Sequence, residues 1–150
     1  MKSHLTPILL IVAISTALYA NTLKNGFVYD DWVIIVDNAQ IRDLSNLPKL
    51  FQKDYFFISG EGSYRPVVTL TYFIDSCLFG IKPRGFHLTN ILLHAMNGIL
   101  FYSFLTLFFY QPTSIDKQST SRSIFNNRAL LASLVFITHP ILTESVNAIS

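Results

Sequence analysis

From Leu88 to Tyr110 the chain runs for 23 residues without an Asp, Glu, Lys or Arg. At about 1.5 Å of rise per residue, a helix of that length crosses the roughly 30 Å apolar core of a bilayer, where every backbone group must be satisfied internally. A chain carrying this segment is expected to be an all-α integral membrane protein. Composition agrees, because 51% of the 150 residues are hydrophobic and only 13% are charged, against roughly 25% charged residues in soluble domains. The net charge of +2 is spread along the chain with no basic run, so no nucleic-acid partner is expected. A single cysteine, Cys77, excludes an intrachain disulfide framework and a multi-cysteine zinc site.

Two further apolar runs flank this helix. Leu5–Ala20 is uncharged and spans if Asn21–Leu23 extend it, which gives a first transmembrane helix over 5–22. Lys2 and the small residues Ser15 and Ala17 also fit a cleaved signal peptide, but the apolar run continues past them through Leu18 and Tyr19. A secreted soluble domain is then disfavoured by the central helix, taken as 87–110. The third run, 129–143, meets Pro140 and then Glu144, so it spans only if Glu144 reaches the far interface. Between the second and third runs, 111–128 carries Lys117, Arg122 and Arg128 against Asp116, which assigns it to the cytoplasm by the positive-inside rule. The segment 23–86 is therefore extracytoplasmic or lumenal, its basic residues notwithstanding, because loops of about 60 residues obey that rule weakly.

This outer segment reads as organised rather than as a spacer. Trp32–Val36 is apolar, Leu44, Leu47, Leu50 and Phe51 recur at helical spacing, and Val67–Phe79 forms an apolar run opened by Pro66 and closed by Gly80. At 13 residues the last run is too short to span, which predicts a helix lying in the interface or buried against the bundle.

Polar residues at membrane depth are costly, so each needs a partner. His87, Asn90, His94 and Asn97 fall on one stripe of the central helix, a pattern that suits hydrogen-bonded packing between helices and also suits contact with a ligand. Gly98 beside them permits a close neighbour. His139, Pro140, Thr143 and Glu144 gather at the outer end of the third run, where they either emerge into water or line a site. Their spacing supports a metal site only weakly. Asp30 and Asp31 follow the first helix. In a turn one carboxylate can meet a substrate while a partner holds the other, although acid pairs in solvated turns are common. Arg65 precedes the 67–79 helix, where a guanidinium beside a helix N-terminus suits a phosphate.

The order of four short motifs, Phe27–Asp31, Ser63–Val67, Phe86–His94 and His139–Val146, resembles the N-terminal part of the transmembrane and tetratricopeptide-repeat protein family. Those proteins are similar to GT-C glycosyltransferases and transfer mannose from a polyprenyl-phosphate donor to Ser or Thr hydroxyls of proteins. The resemblance runs from about Leu18 to Ile149. It implies a GT-C-like N-terminal portion of about three transmembrane helices, with membrane lipid, a polyprenyl-phosphate sugar and a protein acceptor as partners. It also implies an endoplasmic reticulum location in a eukaryote or a plasma membrane location in a prokaryote.

Residue by residue, the resemblance makes Asp30 and Asp31 a catalytic base with a neighbour that orients it or binds a divalent cation. Arg65 would steady the donor phosphate. His139 and Glu144, with His87, Asn90 and His94, would form supporting walls. The family continues into further membrane helices and repeats, so a chain stopping at Ser150 is expected to be a fragment or a truncated product with little activity of its own. The competing expectation is a small membrane interaction or scaffold protein without chemistry, whose polar stripes pack against partner helices.

Overall fold

The computed structural model describes residues 2–109 and 118–150, and all regular structure among them is helical. Residue 110, the last of the span read as 87–110, and residues 111–117, which open the stretch read as a cytoplasmic loop, lie outside the described residues. Helix α1 (Lys2–Tyr19) continues as a 3-10 turn over Ala20–Lys24, and together they supply a span from His4 to Lys24. The expected extension through Asn21–Leu23 is therefore present. Three short helical turns follow at Trp32–Val36, Ala39–Arg42 and Leu44–Phe51, then α2 (Lys53–Ile58) and α3 (Pro66–Phe79). Helix α4 (Pro83–Phe108) is the second span.

The third apolar run does not form one straight helix. Helix α5 (Gln118–Ile137) begins inside the stretch read as a loop, and a 3-10 turn over Pro140–Leu142 and α6 (Thr143–Asn147) follow it with a 50° bend. Proline has no N–H to donate and disfavours a helical conformation at the residue before it. His139 accordingly adopts extended angles and caps the new turn, its Nδ1 accepting from the Ile141 N–H at 3.2 Å. Among the described residues two helices are thus long and apolar enough to cross a membrane, or three if the bent pair crosses as one.

Two compact units divide the chain. The first comprises Met1–Ala20 and Ile91–Val146. Its centre is Ile11, Tyr102, Ala129 and Ile137, drawn from α1, α4 and α5. Gly98 makes the approach possible, since a Cβ there would lie 2.6 Å from Ile137 Cγ2 and 2.9 Å from Ile11 Cγ2.

The second unit comprises Asn21–Asn90 and Asn147–Ser150. Its core includes Ile34, Ile35, Tyr72, Phe73, Phe86 and Ile149, so the apolar runs of the outer segment fold onto one another. Local chemistry sets the turns that make this possible. Asn38 and Asp43 accept from the backbone amides of Gln40 and Ser45 at 3.0 and 2.9 Å, capping successive 3-10 turns. Pro48 within the second removes a donor an α-helix would need. Pro66 opens α3 at its first turn and Gly80, at φ 65°, ends it, as its sequence predicts.

Candidate functional site

The acid pair sits in a turn at the head of the outer unit. Tyr29 takes a left-handed φ of 45°, rare for a side chain of its size, and the Asp31 N–H donates back to the Val28 carbonyl at 3.0 Å. The consequence is a division between two adjacent carboxylates. Asp30 is exposed, whereas Asp31 is 1% exposed. A buried carboxylate needs donors, and Asp31 has three. The Val28 N–H donates to Oδ2 at 3.0 Å, and the Ser150 N–H and hydroxyl donate to Oδ1 at 3.0 and 2.6 Å.

His87, also in this unit, is 2% exposed, within electrostatic reach of Asp31, and neither ring nitrogen has a hydrogen-bond partner. Asn90, one turn further along α4, donates from Nδ2 to the Ala148 carbonyl at 2.7 Å. Arg65 caps α3 with its backbone and keeps its side chain exposed, within electrostatic reach of Glu61 and Tyr72.

Glu61, Tyr72, Asp75 and Ser150, all in this unit, were not singled out from the sequence. Glu61, between Gly60 and Gly62, is 6% exposed; Oε2 accepts the Thr69 hydroxyl at 2.6 Å and Oε1 has no partner. Burial raises its carboxyl above the ordinary range, against the Thr69 bond and the Arg65 charge, which lower it. Tyr72 is pushed up to about 12, chiefly by burial, with Arg65 opposing and Glu61, Asp31 and Asp75 adding to the rise. Asp75 is raised by burial and accepts the Thr89 hydroxyl at 2.5 Å.

The remaining expected residues belong to the other unit. His94 donates from Nε2 to the Ile137 carbonyl at 3.0 Å and meets the Tyr19 ring edge-on, so its contacts there are those of packing between helices. Asn97 is exposed. His139 and Glu144 are exposed at the bend after α5. A groove of about 610 Å³ on this unit is lined by Phe101, Arg128, Leu131, Val135, His139 and Ile141 among others. Among the described residues no three His, Cys, Asp or Glu side chains gather as a metal site.

Spans, organised outer segment and acid pair define an integral membrane protein with an all-α helical fold, its 23–86 segment facing the extracytoplasmic or lumenal side. The chain is related to the Protein O-mannosyl-transferase TMTC proteins: it is 34% identical over 97% of its length to Protein O-mannosyl-transferase TMTC3 of Homo sapiens. It is 31% identical over 99% of its length to Protein O-mannosyl-transferase Tmtc3 of Drosophila melanogaster, and 32% identical over 91% to Protein O-mannosyl-transferase TMTC2 of Homo sapiens. It spans 15%, 17% and 15% of the lengths of these relatives. No protein-family model and no solved structure matches it.

Proposed function

We propose that this chain supplies the acid pair and the phosphate-binding arginine of a larger site that transfers mannose from a polyprenyl-phosphate donor to Ser or Thr hydroxyls of proteins. The observation that carries the reading is the acid pair itself, in a chain related to O-mannosyl-transferases: Asp30 stands open while Asp31 is buried and oriented by three donors. The acceptor oxygen attacks the anomeric carbon as the bond from that carbon to the phosphate oxygen breaks. The hydroxyl proton passes to the acid pair, and the phosphate leaves with the electron pair, its charge met by Arg65 at the N-terminus of α3.

The test is mannose transfer to a Ser/Thr peptide by membranes containing this chain, alone and substituted for the matching segment of human TMTC3. Asp30→Asn and Asp31→Asn should each lower transfer by about 100-fold or more, the scale of a lost proton acceptor. Arg65→Ala should weaken the response to donor concentration. An active chimera indifferent to both Asn variants would sink the assignment.

A further inference from the structure

Asp31 is held by a segment 119 residues away in sequence. Three consecutive residues of that segment are each gripped by a different element of the outer unit. Asn90 of α4 donates to the Ala148 carbonyl at 2.7 Å, the Tyr72 hydroxyl of α3 donates to the Ile149 carbonyl at 3.1 Å, and Ser150 donates twice to Asp31. Ile149 is 6% exposed within the core that also holds Tyr72 and Phe86. The segment is therefore seated by its backbone and by one apolar anchor.

The bonds at Asp31 converge in a way that fixes a direction. Oδ1 takes both Ser150 donors and Oδ2 takes the Val28 amide, so rotation of the carboxylate is blocked from both sides. The Val28 bond also closes the turn that presents Asp30. We infer that Ser150 is a positioning residue for the acid pair, aligning the Asp31 carboxylate and through it the 28–31 turn, with Asn90 and Tyr72 seating the 148–150 segment that carries it. The inference rests on the reading of the pair as catalytic for its consequence, but its geometry stands without it.

Hydrogen–deuterium exchange on the whole chain in nanodiscs tests the geometry. Ser150→Ala should speed exchange of the amides in 28–36 by about tenfold to a hundredfold, the size of one lost charge-assisted bond, and leave 91–108 unchanged. Ser150→Thr, which keeps the hydroxyl, should restore protection. Tyr72→Phe, which keeps the ring and loses the donor, should deprotect both 148–150 and 28–36. Unchanged exchange in 28–36 in Ser150→Ala and Tyr72→Phe, or equal deprotection of 91–108, overturns the inference.

In the chimera, Ser150→Ala should lower kcat about tenfold with the donor KM within twofold, and Ser150→Thr should recover it. A chimera that transfers nothing while the exchange coupling is present defeats the functional reading and leaves the positioning of Asp31 supported. Full activity in Ser150→Ala despite the coupling overturns the positioning role.

Discussion

Glu61 shows how the outer unit's stability follows pH. Burial raises its carboxyl above the ordinary value of 4.5, so the folded chain binds its proton more tightly than the unfolded chain does. Its stabilising contribution is fully present below that ordinary value and is lost as pH rises through the raised one. Asp75, also raised by burial, carries the same sign. Trp32, the chain's one tryptophan, reports on this unit. Its fluorescence in detergent should show a melting midpoint that falls across this window, and Glu61→Gln should flatten part of that fall, because the amide oxygen still accepts from Thr69. An identical slope in Glu61→Gln would show that the residue is not buried as described. The sequence pointed to Asp30, Asp31 and Arg65 through motif order, yet it gave no reason to single out Glu61 or Ser150. A lone acid between glycines and a lone serine both read as solvated, and what holds them are partners 8 and 119 positions away.

Elements were legible where their punctuation is local. Pro66 and Gly80 bracket α3, and the uncharged run in α4 announces a span, because backbone chemistry at those residues decides the outcome. The bend after α5 was signalled by Pro140, whereas the start of that helix at Gln118 was hidden, since polar residues are tolerated in a helix that extends beyond the bilayer core. The polar stripe on α4 was visible as a stripe but not in its uses: His87 is buried near Asp31, His94 bonds a neighbouring backbone, and Asn97 is exposed. Gly98 gives this scale its prediction. An added methyl would meet Ile137 Cγ2 and Ile11 Cγ2 well inside contact distance, so Gly98→Ala should cost about 1–3 kcal/mol in detergent unfolding. Ile137→Ala alone should cost about 2–5 kcal/mol by leaving a cavity. The double variant should be less destabilised than the sum, because the methyl enters space vacated by the isoleucine. Strict additivity would mean that the two residues do not meet.

Orientation decides whether the chemistry is available to the whole molecule at all. Mannosyl transfer from a membrane-borne donor needs the acid pair, Arg65 and the acceptor on one face of the bilayer. Two crossings separated by the outer unit meet that need for Asp30, Asp31 and Arg65 in any orientation, since these residues lie between the same two spans. Which face they share is set by charge, and the basic 111–128 stretch assigns them to the outer one. In a Cys77→Ser background, Ser63→Cys should react with a membrane-impermeant maleimide from the extracytoplasmic or lumenal side. Asn127→Cys, at the beginning of the third apolar run, should react only from the cytoplasm. Both positions are exposed, so silence from burial is not expected. Labelling of Ser63→Cys from the cytoplasm would invert the molecule and turn the acid pair away from any extracytoplasmic acceptor. The helical fold would survive that result, but the proposed transfer reaction would not, because a chain can satisfy every backbone bond in either orientation while only one turns Asp30 toward the extracytoplasmic or lumenal side.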